Sequence, residues 1–138
     1  MQIAVNGFEK TPLDLRTNTP EEINLKGINT IVHLAGKAHE MKPIPDWIYF
    51  KINYELTRSL AEKAKAAGVS HFIYISSTKV YGDQVEGIVD EDSDCMPDDA
   101  YGKSKLQAEA YLLSMQSPEF NVAIIRPPLV YGPGVKGN

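Results

Sequence analysis

The sequence predicts an α/β protein built on a parallel sheet. Three observations carry that expectation. Three short runs are apolar on both faces: Thr30 to Leu34 (TIVHL), His71 to Ile75 (HFIYI) and Val122 to Ile125 (VAII). Two long stretches of helical pattern separate them. Each run ends in small, hydroxyl or proline residues: Ala35-Gly36, Ser76-Ser77-Thr78 and Arg126-Pro127-Pro128. Strands buried on both sides and joined by helical crossovers belong to parallel sheets covered by helices.

The elements follow in order. Met1 to Val5 (MQIAV) reads as a short strand. Asn6 to Lys26 is polar and turn-rich. Within it, Thr19-Pro20-Glu21-Glu22 has the form of a helix start, with threonine as cap, proline in the first turn and acids behind it. After TIVHL, a helix is expected over Asp46 to Ala67. Asp46 is its expected cap, Gly68 its stop, and Leu56, Leu60, Ala64 and Ala67 its apolar stripe. After HFIYI, Asp98 or Asp99 caps a helix to about Gln116, with Ala108, Leu112 and Met115 inward. No internal repeat interrupts this order, and the 138 residues are expected to form one domain.

Composition excludes several classes. The net charge of -4 argues against a nucleic-acid binder. No apolar run approaches the roughly 18 residues of a membrane span. No export signal is recognisable at the start. The one cysteine, Cys95, sits in a polar loop with no evident activating base and reads as inert. A reducing cytoplasmic setting is expected. The acids are concentrated. Asp83 to Asp99 holds eight of them and no Lys or Arg. Such a run is usually a solvated loop, and the sharper reading is a border to an active-site mouth.

In open α/β sheets, ligands bind beyond the carboxyl ends of the strands. The three strand ends above converge there. Tyr101 and Lys105 in YGKSK stand four apart and share a helix face. A tyrosine phenol titrates near 10, too high for a base at neutrality. Lowering it by ~3 units takes ~4 kcal/mol. The Lys105 ammonium, the positive helix N-terminus and a cationic cofactor are the expected sources. Ser77, just past a strand end, can hydrogen-bond the same substrate oxygen. Taken singly, each residue has an ordinary structural reading. His33, inside a strand, is more often core than ligand. The three histidines lack metal-ligand spacing, so no metal is expected.

The segments HLAG (His33 to Gly36), SSTKVYG (Ser76 to Gly82), YGKSK (Tyr101 to Lys105) and RPPLVYGPG (Arg126 to Gly134) occur in one order and spacing. Together they resemble the extended short-chain dehydrogenase/reductases, the NAD-dependent nucleotide-sugar epimerase/dehydratase family. The resemblance implies a partial Rossmann-like parallel sheet flanked by helices. It implies a catalytic set of Ser77, Tyr101 and Lys105, with Ser77, Thr78 and Tyr101 at the substrate. It implies a cofactor lined by Asp14, Leu15, Leu34, Ala35, Gly36, Lys37, Asn53, Ser76, Tyr101, Lys105 and Pro127. The implied cofactor is NAD, with NADP also possible, and the implied substrate is a nucleotide sugar, UDP-linked. The implied chemistry is hydride removal from the sugar C4 while Tyr101 takes the hydroxyl proton. Family dehydratases place Asp-Glu just after the hydroxyl residue. Thr78 and Lys79 stand there instead, so a 4-epimerase is expected, with a 4-reductase or dehydrogenase as the alternative.

The chain also departs from the family. Asn6-Gly7-Phe8 lacks the flanking glycines of the phosphate-binding turn. Residues 1–28 are an atypical N-terminus, and no counterpart of the C-terminal substrate domain follows Asn138. The sequence therefore reads as truncated at both ends. Self-association through uncovered apolar surface is expected, and an inactive fragment serving only as a binding module is a further alternative.

Overall fold

β-Branched and aromatic residues give three strands in the computed structural model, which describes residues 20–38, 43–84, 87–130 and 132. They are β1 (Thr30–His33), β2 (His71–Ile75) and β3 (Asn121–Ile125). Their order is β1-β2-β3 and both pairings are parallel. His33 lies opposite Tyr74, and Ile75 opposite Ile125, so the three carboxyl ends are level. The architecture is α/β and Rossmann-like, as expected. The expected strand Met1–Val5, the cap Thr19, and Asp14 and Leu15 lie outside the described residues.

The first crossover is helical from α1 (Asp46–Tyr49) through a π-helical stretch (Phe50–Glu55) into α2 (Leu56–Ala66). Asp46 is not the cap. Pro45 holds that position with extended backbone, and Asp46 is the first helical residue, where its charge still suits the helix dipole. The expectation of a uniform α-helix also fails over one turn. Leu56 N–H reaches back five residues to Lys51 O, the mark of a π turn. Leu60, Ala61 and Ala64 face inward, while Ala67 is exposed because it already belongs to the turn-out at Gly68 (φ 79°). The second crossover ends in α3 (Ala100–Ser114). Asp99 caps it by accepting from Gly102 N at 2.7 Å.

One core forms where α2 and α3 meet the sheet. Leu60, Ala61, Ala64, Ala108 and Leu112 pack on Phe72, Tyr74, Val69 and Phe120. The opposite face of the sheet differs from the two-sided burial expected. Val32 is 52% exposed and Ile125 49%. This face carries the apolar surface expected to drive self-association.

Candidate active site

The carboxyl ends of β2 and β3 stay joined past the strands. Ser76 N donates to Ile125 O at 2.7 Å and Thr78 N to Pro127 O at 3.2 Å. A 3-10 turn follows at Thr78–Tyr81, capped by Ser77, whose Oγ accepts from Lys79 N at 3.2 Å. This turn lies hard against the first turn of α3. A Cβ on Gly102 would sit 2.6 Å from Lys79 O and 2.9 Å from Pro97 Cβ. The bare glycine lets the two approach. The Ser77 hydroxyl acts on the Tyr101 phenol, whose pKa it lowers.

Asn53, in the π stretch, ties the loop after β1 to α3. Its Oδ1 accepts from Lys37 N at 2.7 Å. Its Nδ2 donates to Lys37 O at 3.1 Å and to Ser104 Oγ at 3.0 Å. Ser104 Oγ in turn donates to Tyr101 O at 2.7 Å. Gly36 lies so close that a Cβ there would meet Asn53 Oδ1 at 2.9 Å and Lys105 Nζ at 3.5 Å. Lys105 is buried, donates from Nζ to Ile75 O at 2.9 Å, and lies 4.6 Å from the Tyr74 ring centre. Burial lowers its pKa to about 8, with Glu109 acting the other way.

The Tyr101 phenol departs from expectation. Its pKa is raised, chiefly because burial penalises the phenolate. The Ser77 hydroxyl lowers it, Asp99 raises it, Lys79 lowers it and Tyr49 raises it. Lys105 was the expected activating cation. Among the described residues, the Lys79 ammonium bears on this phenol.

The structure thus brings together Gly36, Lys37, Asn53, Ser76, Ser77, Thr78, Tyr101, Lys105 and Pro127, the described part of the predicted set. Leu34 and Ala35 lead from β1 into the same edge. Leu34 is 70% exposed, as a residue lining an open groove would be. His33 is core, as expected. Its Nε2 meets Thr57 Oγ1 at 2.9 Å, its ring stacks on Tyr74, and burial lowers its pKa to about 4. Cys95 is partly buried with its thiol raised chiefly by burial, in keeping with an inert group. Among the described residues, no cluster of metal-ligating side chains exists and no helix is long and apolar enough to cross a membrane.

One observation tests the fit to a dinucleotide. Ser76 Oγ is buried at the end of β2 without a hydrogen-bond partner. A buried hydroxyl of this kind calls for an acceptor or donor from outside the chain. It lies at the strand edge next to Ile75, whose carbonyl accepts from the Lys105 ammonium. The residues fit a nicotinamide ribose.

A second constellation was not read from the sequence. Glu109 is 1% exposed and receives Arg126 Nη2 at 2.6 Å and Nε at 3.1 and 3.2 Å. Arg126 Nη1 donates to Tyr81 Oη at 2.6 Å, and Tyr81 Oη donates to Asp90 O at 2.8 Å. The signal was present: Lys105, Ala108, Glu109 and Leu112 form one helical stripe, and two of the four are charged. The acidic segment is partly anchored by this set. Thr78, Tyr81, Asp90, Glu91 and Arg126 line a cavity of about 740 Å³, so the segment borders the edge that carries Thr78.

Ser77, past the end of β2, and Tyr101 and Lys105, on the first turns of α3, thus lie at the carboxyl-end edge of an α/β sheet. The profile of the NAD dependent epimerase/dehydratase family matches residues 4–138. The chain belongs to that family. It is 40% identical over 135 residues to the UDP-glucose 4-epimerase of Vibrio cholerae, covering 91% of this chain and 40% of the relative. It is 33% identical over 108 residues to the dTDP-D-glucose 4,6-dehydratase of Mus musculus, covering 77% and 30%. Among solved structures, the UDP-glucuronic acid 4-epimerase from Bacillus cereus in complex with NAD superposes with a TM-score of 0.74 at 30% identity, covering 88% and 39%. The chain therefore spans about 40% of the length of the first of these relatives.

Proposed function

We propose that this chain carries the nicotinamide-side half of an NAD-dependent nucleotide-sugar 4-epimerase acting on a UDP-linked sugar. The observation that carries the reading is the convergence of the Ser77 turn, the first turn of α3 that bears Tyr101, and the buried Lys105 at the carboxyl end of β2. When bound, NAD supplies the hydride acceptor for the sugar C4. Ser77 holds the reacting hydroxyl, with Thr78 next to it, and Tyr101 takes and returns its proton. Lys105 and Ser76 hold the cofactor ribose and nicotinamide side. Asn53 fixes the loop of Gly36 and Lys37 against α3, and Pro127 holds the Ser77–Thr78 turn through its carbonyl.

The epimerase reading is preferred to dehydration on the residues after Ser77. Thr78 and Lys79 offer no carboxylate for an elimination step. A 4-reductase or dehydrogenase uses the same proton-transfer set and stays as the alternative. Residues 1–138 form one partial domain in this reading. The half-exposed face of the sheet favours self-association or completion by another chain.

Calorimetric titration of the purified chain with NAD, and separately with NADP, tests the reading. Micromolar binding that weakens in Lys105→Ala supports the half-site. No binding of either dinucleotide at millimolar concentration rejects it in favour of an inactive module. Addition of UDP-glucose or UDP-N-acetylglucosamine with NAD then tests turnover directly.

A further inference from the structure

Lys79 stands where helix electrostatics disfavour a cation, beside the first turn of α3, whose unpaired N–H groups carry partial positive charge. Its position is nevertheless heavily determined. Its N–H donates to Ser77 Oγ at 3.2 Å. Its carbonyl occupies the space a Cβ on Gly102 would need. Its ammonium pairs with Asp83 and lies 3.9 Å from Asp99 Oδ2. The other oxygen of Asp99 caps α3 at Gly102 N. Tyr101 lies between Asp99 and Gly102 in the chain. Ser77, Lys79, Asp99 and Tyr101 therefore meet at one junction.

A solvated ion pair accounts for the contact with Asp83 and is worth little. It does not account for a lysine threaded between the serine that acts on Tyr101 and the acid that caps the helix of Tyr101. We propose that Lys79 is a positioning residue for proton transfer, setting a positive charge beside the Tyr101 phenol and holding the Ser77 turn against α3. The proposal deepens the function proposed above and rests on Tyr101 being the proton-transfer group.

Among the described residues, groups from four elements bear on that phenol: Asp99 at the cap of α3, Ser77 and Lys79 from the turn after β2, Tyr74 from β2, and Tyr49 from α1. Asp99, Tyr49 and burial disfavour the phenolate, while Ser77 and Lys79 favour it. Lys79 also offsets Asp99, the acid closest in sequence to the phenol. Losing the ammonium thus removes one favourable charge and leaves one unfavourable charge uncompensated. Both effects raise the phenol in the same direction.

The test reads the phenol itself. The chain is produced with 3,5-difluorotyrosine, whose titration falls near neutrality, and followed by fluorine NMR. The Tyr101 signal is assigned by its loss in Tyr101→Phe. Lys79→Met is expected to raise the Tyr101 midpoint by about half a unit or more, as removal of a partly screened cation should. Lys79→Arg is expected to keep the midpoint near that of the parent. Asp99→Asn keeps a capping side chain and removes the charge, and is expected to lower the midpoint. An unmoved midpoint in Lys79→Met overturns the proposal. So does a shift in Lys79→Arg as large as that in Lys79→Met, or an unmoved midpoint in Asp99→Asn. The readout needs neither dinucleotide nor turnover, so failure of the functional reading in the calorimetric titration is separately visible.

Discussion

Replacing Arg126 by methionine strands the Glu109 carboxylate in the core. The methionine keeps an aliphatic stem but none of the donors. Three N–H···O contacts to Glu109, between 2.6 and 3.2 Å, disappear, and the carboxylate they served is 1% exposed. Removing one partner of a buried pair costs about 3–5 kcal/mol, because the other charge stays behind without its counterpart. Marginal stability makes that a large share of the total for a small domain. With a urea slope of about 2 kcal/mol per molar, a loss of about 4 kcal/mol moves the unfolding midpoint down by about 2 M. Circular dichroism across a urea series measures it. The double variant Glu109→Leu with Arg126→Met removes both charges, and is expected to recover most of the loss. Tyr81→Phe is the control for the third partner and is expected to cost about 1 kcal/mol. A single-variant loss below about 1 kcal/mol refutes the reasoning: the carboxylate would then have found water or another cation. A double variant no better than Arg126→Met refutes it too, because the damage would then lie in packing.

Three further outcomes follow from the geometry. His33 has its pKa lowered from 6.5 to about 4, so the unfolded chain binds its proton first as the solution is acidified. Stability is expected to fall as pH drops from about 6.5 to about 4, and His33→Gln should flatten that slope in pH-dependent urea titrations. Lys105 has its pKa lowered from 10.5 to about 8, so its burial costs stability at neutral pH and the cost fades between those values as pH rises. Lys105→Met should therefore stabilise the fold at pH 7 by on the order of 1–3 kcal/mol while weakening dinucleotide binding in calorimetry. Gly102→Ala should destabilise by about 1–3 kcal/mol, since its Cβ meets the Lys79 carbonyl. It should also move the Ser77–Tyr101 pair apart, seen as a shifted Tyr101 fluorine signal.

The parts of this fold legible in the sequence are those encoded locally. TIVHL and HFIYI are β-branched and apolar, Asp99 precedes its helix with the right side chain, and Gly68 stops another. Ser77, Tyr101 and Lys105 were legible as a set because motif order placed them, and Asn53 because the resemblance did. What escaped depends on depth and on pairs far apart in the chain. The pKa of Tyr101 turns on burial, which periodicity does not report, so its direction came out opposite to expectation. Arg126 and Glu109 are 17 residues apart and meet only through the packing of α3 on β3. The role of Lys79 was hidden because a lysine after two serines and a threonine has no local signature. The second face of the sheet read as buried because Val32 and Ile125 are apolar. Apolar character states what a residue prefers, while coverage depends on what packs there.

The π turn at Phe50–Glu55 has a consequence for length variation. It holds one residue more per turn than an α-helix, so a single deletion there would let the helix close into regular geometry. Such a deletion would leave Tyr49 and α2 in nearly their present orientations, because five residues of a π turn and four of an α turn subtend almost the same angle. The change would fall on the residues within the turn, and Asn53, which ties Lys37 to Ser104, is one of them. Sequences one residue shorter at this point are thus expected to keep the sheet and both helix flanks and to differ in how the loop after β1 is anchored.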